Sequence, residues 1–373
     1  MYLGNEMLMA MPLALYAAWR VLSLIRPKVL KITWIIFFLA LVAGYPVAES
    51  LSHGGGEGWA AAVVLLGYYA LPLLLYLILA VLAIDLVIGG LRLTGVLARA
   101  TAASRRFKNI RLALSLALPA LFVVYGAVNH RVLRAKEYRF EIARRSSAAR
   151  ELTIVFMADL HFRGMTSDRF LDDLVAKVDA QHPDVVLVGG DILEGDRRGE
   201  DTGRYERAFR RMTSKYGTYA VPGNHEGYAR TTGAGFLDRA GIRMLSDEAV
   251  PIDRAFTLIG RRDQRARSRT PVARLVAAAP SDLPIVLLVH RPSEFDEAVR
   301  SGVAIQLSGH THDGQLFPAN LITRREYPLS RGHLVKGGTH FFVTSGVQGW
   351  GPPVRTVGAS EILVLRVTLR DGL

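Results

Sequence analysis

The 373-residue chain contains no cysteine. The absence of thiols excludes disulfide cross-links and a mechanism with a cysteine nucleophile, while it fits an oxidising and a reducing compartment equally well. The chain also contains no internal repeat and no low-complexity stretch. Its organisation must therefore be inferred from hydropathy, charge and short motifs.

Long apolar runs occupy the first third of the chain, at residues 32–51, 59–91 and 112–128. A helix that spans a bilayer needs about 20 residues, with about 17 as the lower limit. Residues 7–25 are a weaker fourth candidate because Arg20 interrupts them. Since one hydrophobic stretch is followed by others, no cleavable signal peptide is expected. The sequence therefore predicts an all-α transmembrane region of three to four helices over residues 1–129.

Acidic residues are rare in this part of the chain. The first 150 residues contain 17 Lys and Arg but only 6 Asp and Glu, a net charge of +11, whereas the remaining 223 residues carry +2. The positive charge therefore lies between and beside the apolar runs, where it reports membrane topology. The nearly neutral second half lacks the basic surface of a duplex binder, so no nucleic-acid partner is expected.

The basic residues also predict an orientation. Residues 52–58 contain no Lys or Arg, whereas residues 92–111 contain six, so the first loop is expected outside and the second in the cytoplasm. A domain after the last span is then extracytoplasmic. Seven basic residues at 131–150 favour the opposite, with residues 112–128 as an interfacial hairpin. Export is the favoured interpretation because translocation of a long domain depends little on its charge.

Two features adjoin or interrupt the apolar region. Residues 130–150 are polar and basic and are interpreted as a linker, either attracted to anionic headgroups or a simple spacer. Asp85 lies inside an apolar run, where a carboxylate is a functional candidate, although the nearby Arg92 favours an interfacial position. Residues 151–373 remain as one domain of about 220 residues.

Polar blocks in the second half are rich in metal ligands. They are Asp159-Leu160-His161, Gly190-Asp191, Gly223-Asn224-His225-Glu226, His290 and Gly309-His310-Thr311-His312. Two cations about 3.5 to 4 Å apart need an anionic group between them, and Asp191, after a glycine that allows a tight turn, is the candidate bridge. Imidazole ligands favour Mn, Fe or Zn over Mg or Ca. The sequence therefore predicts a site for two divalent metal ions.

Apolar runs of strand length precede these blocks, at residues 152–158, 185–188, 285–289 and 303–307. Such β-branched runs are typical of strands buried on both faces, and ligands in layered α/β folds collect at the carboxyl ends of strands. The i, i+2 pairs Asp159/His161 and His310/His312 direct both side chains the same way if the backbone is extended. The blocks are therefore expected to meet at one edge.

The order of these blocks resembles that of the calcineurin-like metallophosphoesterase family, over residues 151–373. The resemblance implies an α/β fold of the four-layer sandwich type, with two mixed β-sheets flanked by helices. The ligand sets that it implies are Asp159, His161, Asp191 and His312 for one ion, and Asp191, Asn224, His290 and His310 for the other. His225 would face the substrate, oriented by Glu194 or its rival Asp196.

The expected chemistry is attack on phosphorus by a hydroxide that bridges the two ions. His225 would protonate the leaving alkoxide, a step typically worth about 10²- to 10⁴-fold in rate. Nothing in this set requires a covalent enzyme intermediate.

Two basic features lie outside the blocks. Arg355 contacts a substrate phosphate or pairs with a carboxylate such as Glu361, and the two interpretations have equal weight. Residues 261–269 contain five Arg around Asp263, which form a solvated loop or attract anionic lipid. The end of the domain resembles that of a membrane-associated bacterial subgroup, which includes phosphodiesterases and lipid-precursor hydrolases.

The sequence therefore predicts a membrane-anchored two-metal phosphohydrolase, in the first place a phosphodiesterase that acts on a membrane lipid or envelope phosphoester. One alternative is a pyrophosphate hydrolase of a UDP-diacylglucosamine-type lipid-A precursor, which requires a site on the cytoplasmic face. Another is a membrane scaffold that binds metals or phosphate without turnover. Loss of a ligand or of His225 would favour the scaffold, and all of them are present.

Overall fold

The computed structural model describes residues 2–53, 59–194, 202–226, 233–266, 268–279 and 282–371. The chain divides into two compact units, the first formed by Met1–Val128 with Gly351–Thr356 and the second by Asn129–Trp350 with Val357–Leu373. Asp196, the alternative partner for His225, lies outside the described residues.

The helices and strands are numbered in chain order. The helices are α1 Tyr2–Leu24, α2 Lys28–His53, α3 Trp59–Leu93, α4 Arg99–Ala103, α5 Arg105–Arg131, α6 Asp168–Asp179, α7 Gly203–Arg211, α8 Gly233–Ala240, α9 Val272–Ala277, α10 Phe295–Arg300 and α11 Ala319–Glu326, with a 3₁₀ turn at His312–Gly314. The strands are β1 Leu133–Ala143, β2 Glu151–Met157, β3 Val185–Val188, β4 Thr218–Ala220, β5 Ile242–Met244, β6 Glu248–Ile252, β7 Phe256–Arg261, β8 Ile285–Val289, β9 Ile305–Ser308, β10 Gly332–Lys336, β11 Thr339–Val343 and β12 Ser360–Arg370.

The first unit contains the apolar helices. Three of them are long and apolar enough to cross a membrane, over Lys28–Ser52, Trp59–Leu93 and Arg105–Arg131. Helix α1 adds a shorter apolar stretch, Met9–Leu24. These helices contain the three apolar runs and the weaker fourth candidate of the sequence. A helix is the expected form because it satisfies the backbone hydrogen bonds of an apolar run within one segment.

Helices α2 and α3 approach each other closely at two glycines. A Cβ atom on Gly67 would lie 2.3 Å from the carbonyl oxygen of Gly44 and 2.6 Å from Cβ of Ala48. A Cβ atom on Gly44 would lie 2.8 Å from Cβ of Ala70. Small residues allow this close packing, which is the main source of helix association in lipid.

Asp85 of α3 links three helices through polar contacts. Its carboxylate accepts hydrogen bonds from Tyr16 Oη at 2.6 Å and Arg20 Nε at 2.5 Å, both on α1. Arg111 of α5 forms a further ion pair with it. Because intramembrane carboxylates require such partners, the contacts support a structural role for Asp85 within the helix bundle.

The second unit contains two six-stranded mixed sheets. Sheet 1 has the strand order β1-β12-β2-β3-β4-β5, and sheet 2 has the order β10-β11-β9-β8-β7-β6. In sheet 1 only β12 and β2 pair antiparallel, whereas sheet 2 has an antiparallel pair at each edge. The predicted strands match β2, β3, β8 and β9 to within two residues.

The two sheets pack face to face. Ile154 and Phe156 of β2 belong to the same buried cluster as Leu288 of β8 and Leu307 of β9. Helices α6, α7 and α8 cover the other face of sheet 1. Helices α9 and α10 cover the other face of sheet 2. These four layers confirm the fold class predicted from the sequence.

The prediction of a linker at residues 130–150 is wrong, because this segment supplies β1. Its eleven residues pair in parallel with β12, from Leu133 beside Ser360 to Ala143 beside Arg370. Tyr138, Phe140 and Ile142 alternate with charged residues and pack into the cluster between the sheets. The basic composition hid a period-two pattern that is typical of an edge strand with one buried face.

Candidate metal centre

The carboxyl ends of parallel strands from both sheets position the predicted ligands. In sheet 1, β2 leads to Asp159, β3 to Asp191 and β4 to Asn224. In sheet 2, the parallel strands β8 and β9 lead to His290 and His310. Because parallel strands end at the same edge of a sheet, residues distant in sequence become neighbours.

Asp191 lies at the centre of this group. Its Oδ2 atom is 3.2 Å from His290 Nε2 and 3.9 Å from His161 Nε2. Its Oδ1 atom accepts a hydrogen bond of 2.8 Å from the backbone N–H of His225. One carboxylate therefore faces imidazoles from both sheets.

Three groups of potential ligands each have their ligand atoms within 4.8 Å of one another: Asp159, His161 and His312; Asp191, His290 and His310; and His161, Asp191 and His225. In the first, His161 Nε2 and His312 Nε2 are 3.2 Å apart. In the second, His290 Nε2 lies 3.2 Å from His310 Nδ1 and 3.2 Å from Asn224 Oδ1. All seven predicted ligands are thus brought together.

The donor atoms in these groups fit divalent metal ions. Oδ1 of Asp159 is buried, and no described residue donates a hydrogen bond to it, so a cation would satisfy it. Imidazole nitrogens at 3.2 Å from one another can share a cation in place of a proton. Mixed nitrogen and carboxylate oxygen donors are typical of Mn, Fe and Zn sites.

The ligand backbone is left-handed rather than extended. The φ angles are 53° at Asp159, 42° at His161, 52° at Asp191, 71° at His310 and 50° at His312. The expectation of extended i, i+2 pairs is therefore wrong, although both members of each pair reach the centre. Non-glycine residues in this region carry local strain, which surrounding contacts must hold in place and which concentrates at functional sites.

Two glycines make room for the carboxylates. A Cβ atom on Gly223 would lie 2.1 Å from Asp191 Oδ1, and one on Gly309 would lie 2.4 Å from Asp159 Oδ2. The backbone N–H of His310 also donates to Asp159 Oδ2 at 2.8 Å. Any side chain at either glycine would displace a ligand.

Glu226 is a site residue to which sequence reasoning gave no role. Its half-buried carboxylate accepts backbone hydrogen bonds from Asp191 at 2.9 Å, Ile192 at 2.6 Å and Gly223 at 2.7 Å. It therefore ties the loop after β3 to the loop after β4. Burial and the neighbouring Asp191 raise the pKa of Glu226. Its place directly after His225 was the one available signal.

Glu194 contacts a different imidazole from the one predicted. Its Oε2 atom lies 2.5 Å from Nδ1 of His161, whereas its Oε1 atom lies 3.9 Å from Nδ1 of His225. Burial acts to raise the pKa of Glu194, but His161 and His225 together lower it to about 2. The ionised carboxylate can orient His161 directly.

The imidazoles differ in their electrostatics. Burial opposes the charged forms of His161 and His290, but Glu194 raises the pKa of His161 to about 9 and Asp191 that of His290 to about 10. Burial and the charge of His290 lower the pKa of His310 to about 2. In the absence of metal, His161 and His290 are therefore protonated near neutral pH, and a metal ion must displace a proton to bind either ring.

His225 lies beside the ligands and faces solvent. Its side chain is 19% exposed, and its Nε2 atom is 3.9 Å from Asp191 Oδ2. This is the placement that a proton donor to a bound phosphoester requires.

The basic residues outside the blocks are engaged in contacts. Arg261 and Arg269 pair with Glu294, at 2.6 and 2.7 Å, so these two arginines bind a carboxylate of the protein. Arg291, which sequence reasoning missed, pairs with Asp263 at 2.8 Å and donates to Asn224 Oδ1 at 3.3 Å. Its position directly after His290 was the only signal.

Arg355 is the remaining basic residue for which the sequence left two interpretations. The guanidinium of Arg331 pairs with Glu361, at 2.8 Å. Arg355 belongs to the first unit, where its side chain is buried and its backbone N–H donates to Gly126 at 2.9 Å. A substrate contact for Arg355 and its pairing with a carboxylate both stay predictions.

Comparison with known proteins decides the family. The calcineurin-like phosphoesterase profile matches residues 152–314, which include every predicted metal ligand. An uncharacterized metallophosphoesterase of Campylobacter jejuni is 30% identical over 260 residues, which cover 68% of this chain and 69% of the relative. This chain belongs to the calcineurin-like metallophosphoesterase family.

Two further relatives define how far the likeness extends. An uncharacterized metallophosphoesterase of Helicobacter pylori is 32% identical over 225 residues, 58% of this chain, and the chain spans 60% of its length. A transmembrane protein with a metallophosphoesterase domain from Danio rerio is 28% identical over 267 residues, 67% of this chain and 61% of the relative. Among the described residues, the three helices long and apolar enough to cross a membrane and this relative's name together indicate membrane association.

Proposed function

We propose that this membrane-associated metallophosphoesterase is a phosphodiesterase that hydrolyses a membrane lipid or envelope phosphoester. The complete set of ligands around Asp191, with the accessible His225 beside it, carries this proposal. Two divalent ions, when bound, would supply Lewis acidity and an activated water for attack on phosphorus.

The proposed ligand sets follow the first two groups of donors. Asp159, His161, Asp191 and His312 would hold one ion, and Asp191, Asn224, His290 and His310 would hold the other. Glu194 orients His161, and the carbonyl of Gly189, 2.7 Å from His290 Nδ1, orients His290. With Nδ1 engaged in this way, the Nε2 atom of each imidazole would serve as the metal ligand.

His225 supplies the proton for the leaving group. Its backbone is held by Asp191 Oδ1, and its partly exposed ring projects from the buried ligand cluster. A protonated imidazole there can donate to the alkoxide that departs from phosphorus, after which solvent can restore the proton.

We place the domain on the extracytoplasmic side. The loop at 92–111 carries six basic residues, while the loop at 52–58 carries none. Of the seven basic residues at 131–150, which favoured the cytoplasmic side, Arg131 ends α5 and the others lie in β1 or follow it. We give them less weight because translocation of a long domain depends little on its charge.

An extracytoplasmic domain also separates the competing enzyme functions. The pyrophosphate hydrolase of a lipid-A precursor requires a site where the nucleotide-linked substrate is made, in the cytoplasm. A reporter fused after Leu373, with a control fused after Ser52, tests this. Extracytoplasmic signal from both fusions is expected, whereas a cytoplasmic signal after Leu373 favours the pyrophosphatase.

The variant His225→Ala tests the enzymatic mechanism. In the full-length protein we expect unchanged metal content and a loss of turnover of about 10²- to 10⁴-fold on a diester with an alkoxide leaving group. The loss should be much smaller with nitrophenolate, which needs little protonation. Equal losses on both substrates would show that His225 positions phosphate, and a metal-loaded wild-type protein without turnover on any diester would favour the scaffold.

A further inference from the structure

Large apolar side chains are exposed on one short segment of the second unit. Phe317 is 45% exposed, Leu321 55% and Ile322 65%. Among the described residues from 133 onward, the other exposed large apolar side chains are Leu334 and Val335 of β10. Such a concentration of apolar surface on an otherwise well-buried domain marks an interaction site. We call Phe317, Leu321, Ile322 and Arg325 the α11 face.

The α11 face is attached firmly to the metal centre. Helix α11 follows the turn that carries His312, and a Cβ atom on Gly314 of this turn would lie 2.3 Å from the backbone nitrogen of Asn320. Beyond the helix, Ser330 Oγ donates to Asp313 at 3.2 Å, and its carbonyl accepts from Thr311 at 2.6 Å. These contacts fix the helix relative to the ligand loop.

The far end of the helix also touches the site. Tyr327 directly follows α11, and its ring contacts that of His310 with centroids 6.0 Å apart. A surface that binds α11 would therefore lie beside the ligands.

The charges of α11 complement an anionic lipid surface. Its last turn contains Arg324 and Arg325, and Arg324 also pairs with Asp313 at 3.6 Å. Arg325 is exposed and forms no ion pair with any residue that the structure describes. Apolar side chains beside basic ones are typical of helices that lie in the headgroup region of a bilayer.

We propose that the α11 face inserts into the headgroup region of the membrane in which the chain is anchored. A bilayer is the favoured occupant because the apolar helices tether the chain to lipid and the exposed arginine attracts anionic headgroups. The insertion holds the metal centre at the level of lipid phosphoesters. This use of the contact rests on the proposed function, while the contact itself does not.

The absence of native cysteine allows a direct test. Full-length protein with Ile322→Cys is labelled with an environment-sensitive fluorophore and placed in nanodiscs that contain phosphatidylglycerol. We expect strong quenching by lipids with a nitroxide in the headgroup region, and protection from aqueous iodide. The matched control is Arg169→Cys on α6, an exposed position for which the structure gives no ion pair, and it should show the reverse.

Two results would overturn the contact. Ile322→Cys could prove as accessible to iodide as Arg169→Cys. Alternatively, it could be protected without lipid-nitroxide quenching and in proportion to protein concentration, which would identify a second copy of the chain as the occupant.

A second measurement tests the consequence for substrate. The double variant Leu321→Gln/Ile322→Gln removes only exposed apolar surface, so the fold should persist. We expect kcat/KM on a phosphodiester lipid in vesicles to fall about tenfold, with no change on a soluble diester. This factor lies within the binding free energy that partial burial of two apolar side chains supplies. Arg325→Gln should reduce the same rate less, and added salt should remove its effect.

The two measurements distinguish the proposals. A lipid-quenched label without lipid hydrolysis by the wild type would leave the contact standing and refute the lipid-substrate function. Lipid hydrolysis that the double variant leaves unchanged would refute the role of the α11 face.

Discussion

Replacement of Glu194 by Gln tests which imidazole this carboxylate serves. Its Oε2 atom lies 2.5 Å from Nδ1 of His161, and this contact leaves Nε2 of that ring for a metal ion. The 3.9 Å to His225 is too long for a hydrogen bond. We therefore expect the variant to lose metal affinity before it loses proton transfer.

The size of the effect follows from the change in charge. Gln retains the shape of Glu but removes the negative charge that makes His161 a stronger donor. Loss of such a partner typically lowers metal affinity about 10- to 100-fold, or about 1.4 to 2.8 kcal/mol. The affinity for the ion bound by His161 should fall by this factor, while the affinity for the ion bound by His290 should change little.

The assay is a competition titration of the full-length protein with a chelator of known affinity, combined with steady-state kinetics at rising metal concentration. Turnover of Glu194→Gln should recover to within a few-fold at saturating metal. Glu206→Gln is a matched control, because Glu206 pairs with Arg239 on α7 and α8 rather than with a ligand. Unchanged affinities, with turnover lost only for poor leaving groups, would refute this reasoning and assign Glu194 to His225.

Three further predictions concern the same centre. Asp191→Asn should lose more metal and activity than Asp159→Asn, because it removes charge between two cations rather than at one edge, and equal metal contents by mass spectrometry would contradict the bridging role. Metal affinity should rise with pH. The pKa values of about 9 for His161 and about 10 for His290 mean that a metal ion must displace protons, which leave these rings by themselves only as the pH rises through those values. The same metal affinity at every pH between 6 and 9 would contradict this. Glu226→Ala should lower the free energy of unfolding of the domain by at least about 2 kcal/mol, because three buried N–H groups lose their acceptor, and hydrogen exchange in both loops should show it.

The sequence by itself determined which residues meet at the centre. Ligand chemistry is a property of residue type, so Asp191 and the histidines could be recognised without coordinates. The strands that carry them are short apolar runs buried on both faces, which is a local signal, and β3 and β8 have the predicted bounds. The apolar helices were equally accessible because their length alone is diagnostic.

The tertiary structure decided the features that depend on distant partners. Strand β1 has an unremarkable basic composition, and its pairing with β12, more than 200 residues away, makes it part of the domain. Glu194 lies 1.4 Å closer to His161 than to His225, and the order of residues in the sequence does not predict this difference. The left-handed backbone at the ligands likewise depends on contacts such as those of Glu226, which join loops from neighbouring strands. Leu321 and Ile322 resemble core residues in the sequence, and only the packing of α11 shows that they face outward, because burial depends on what surrounds a side chain.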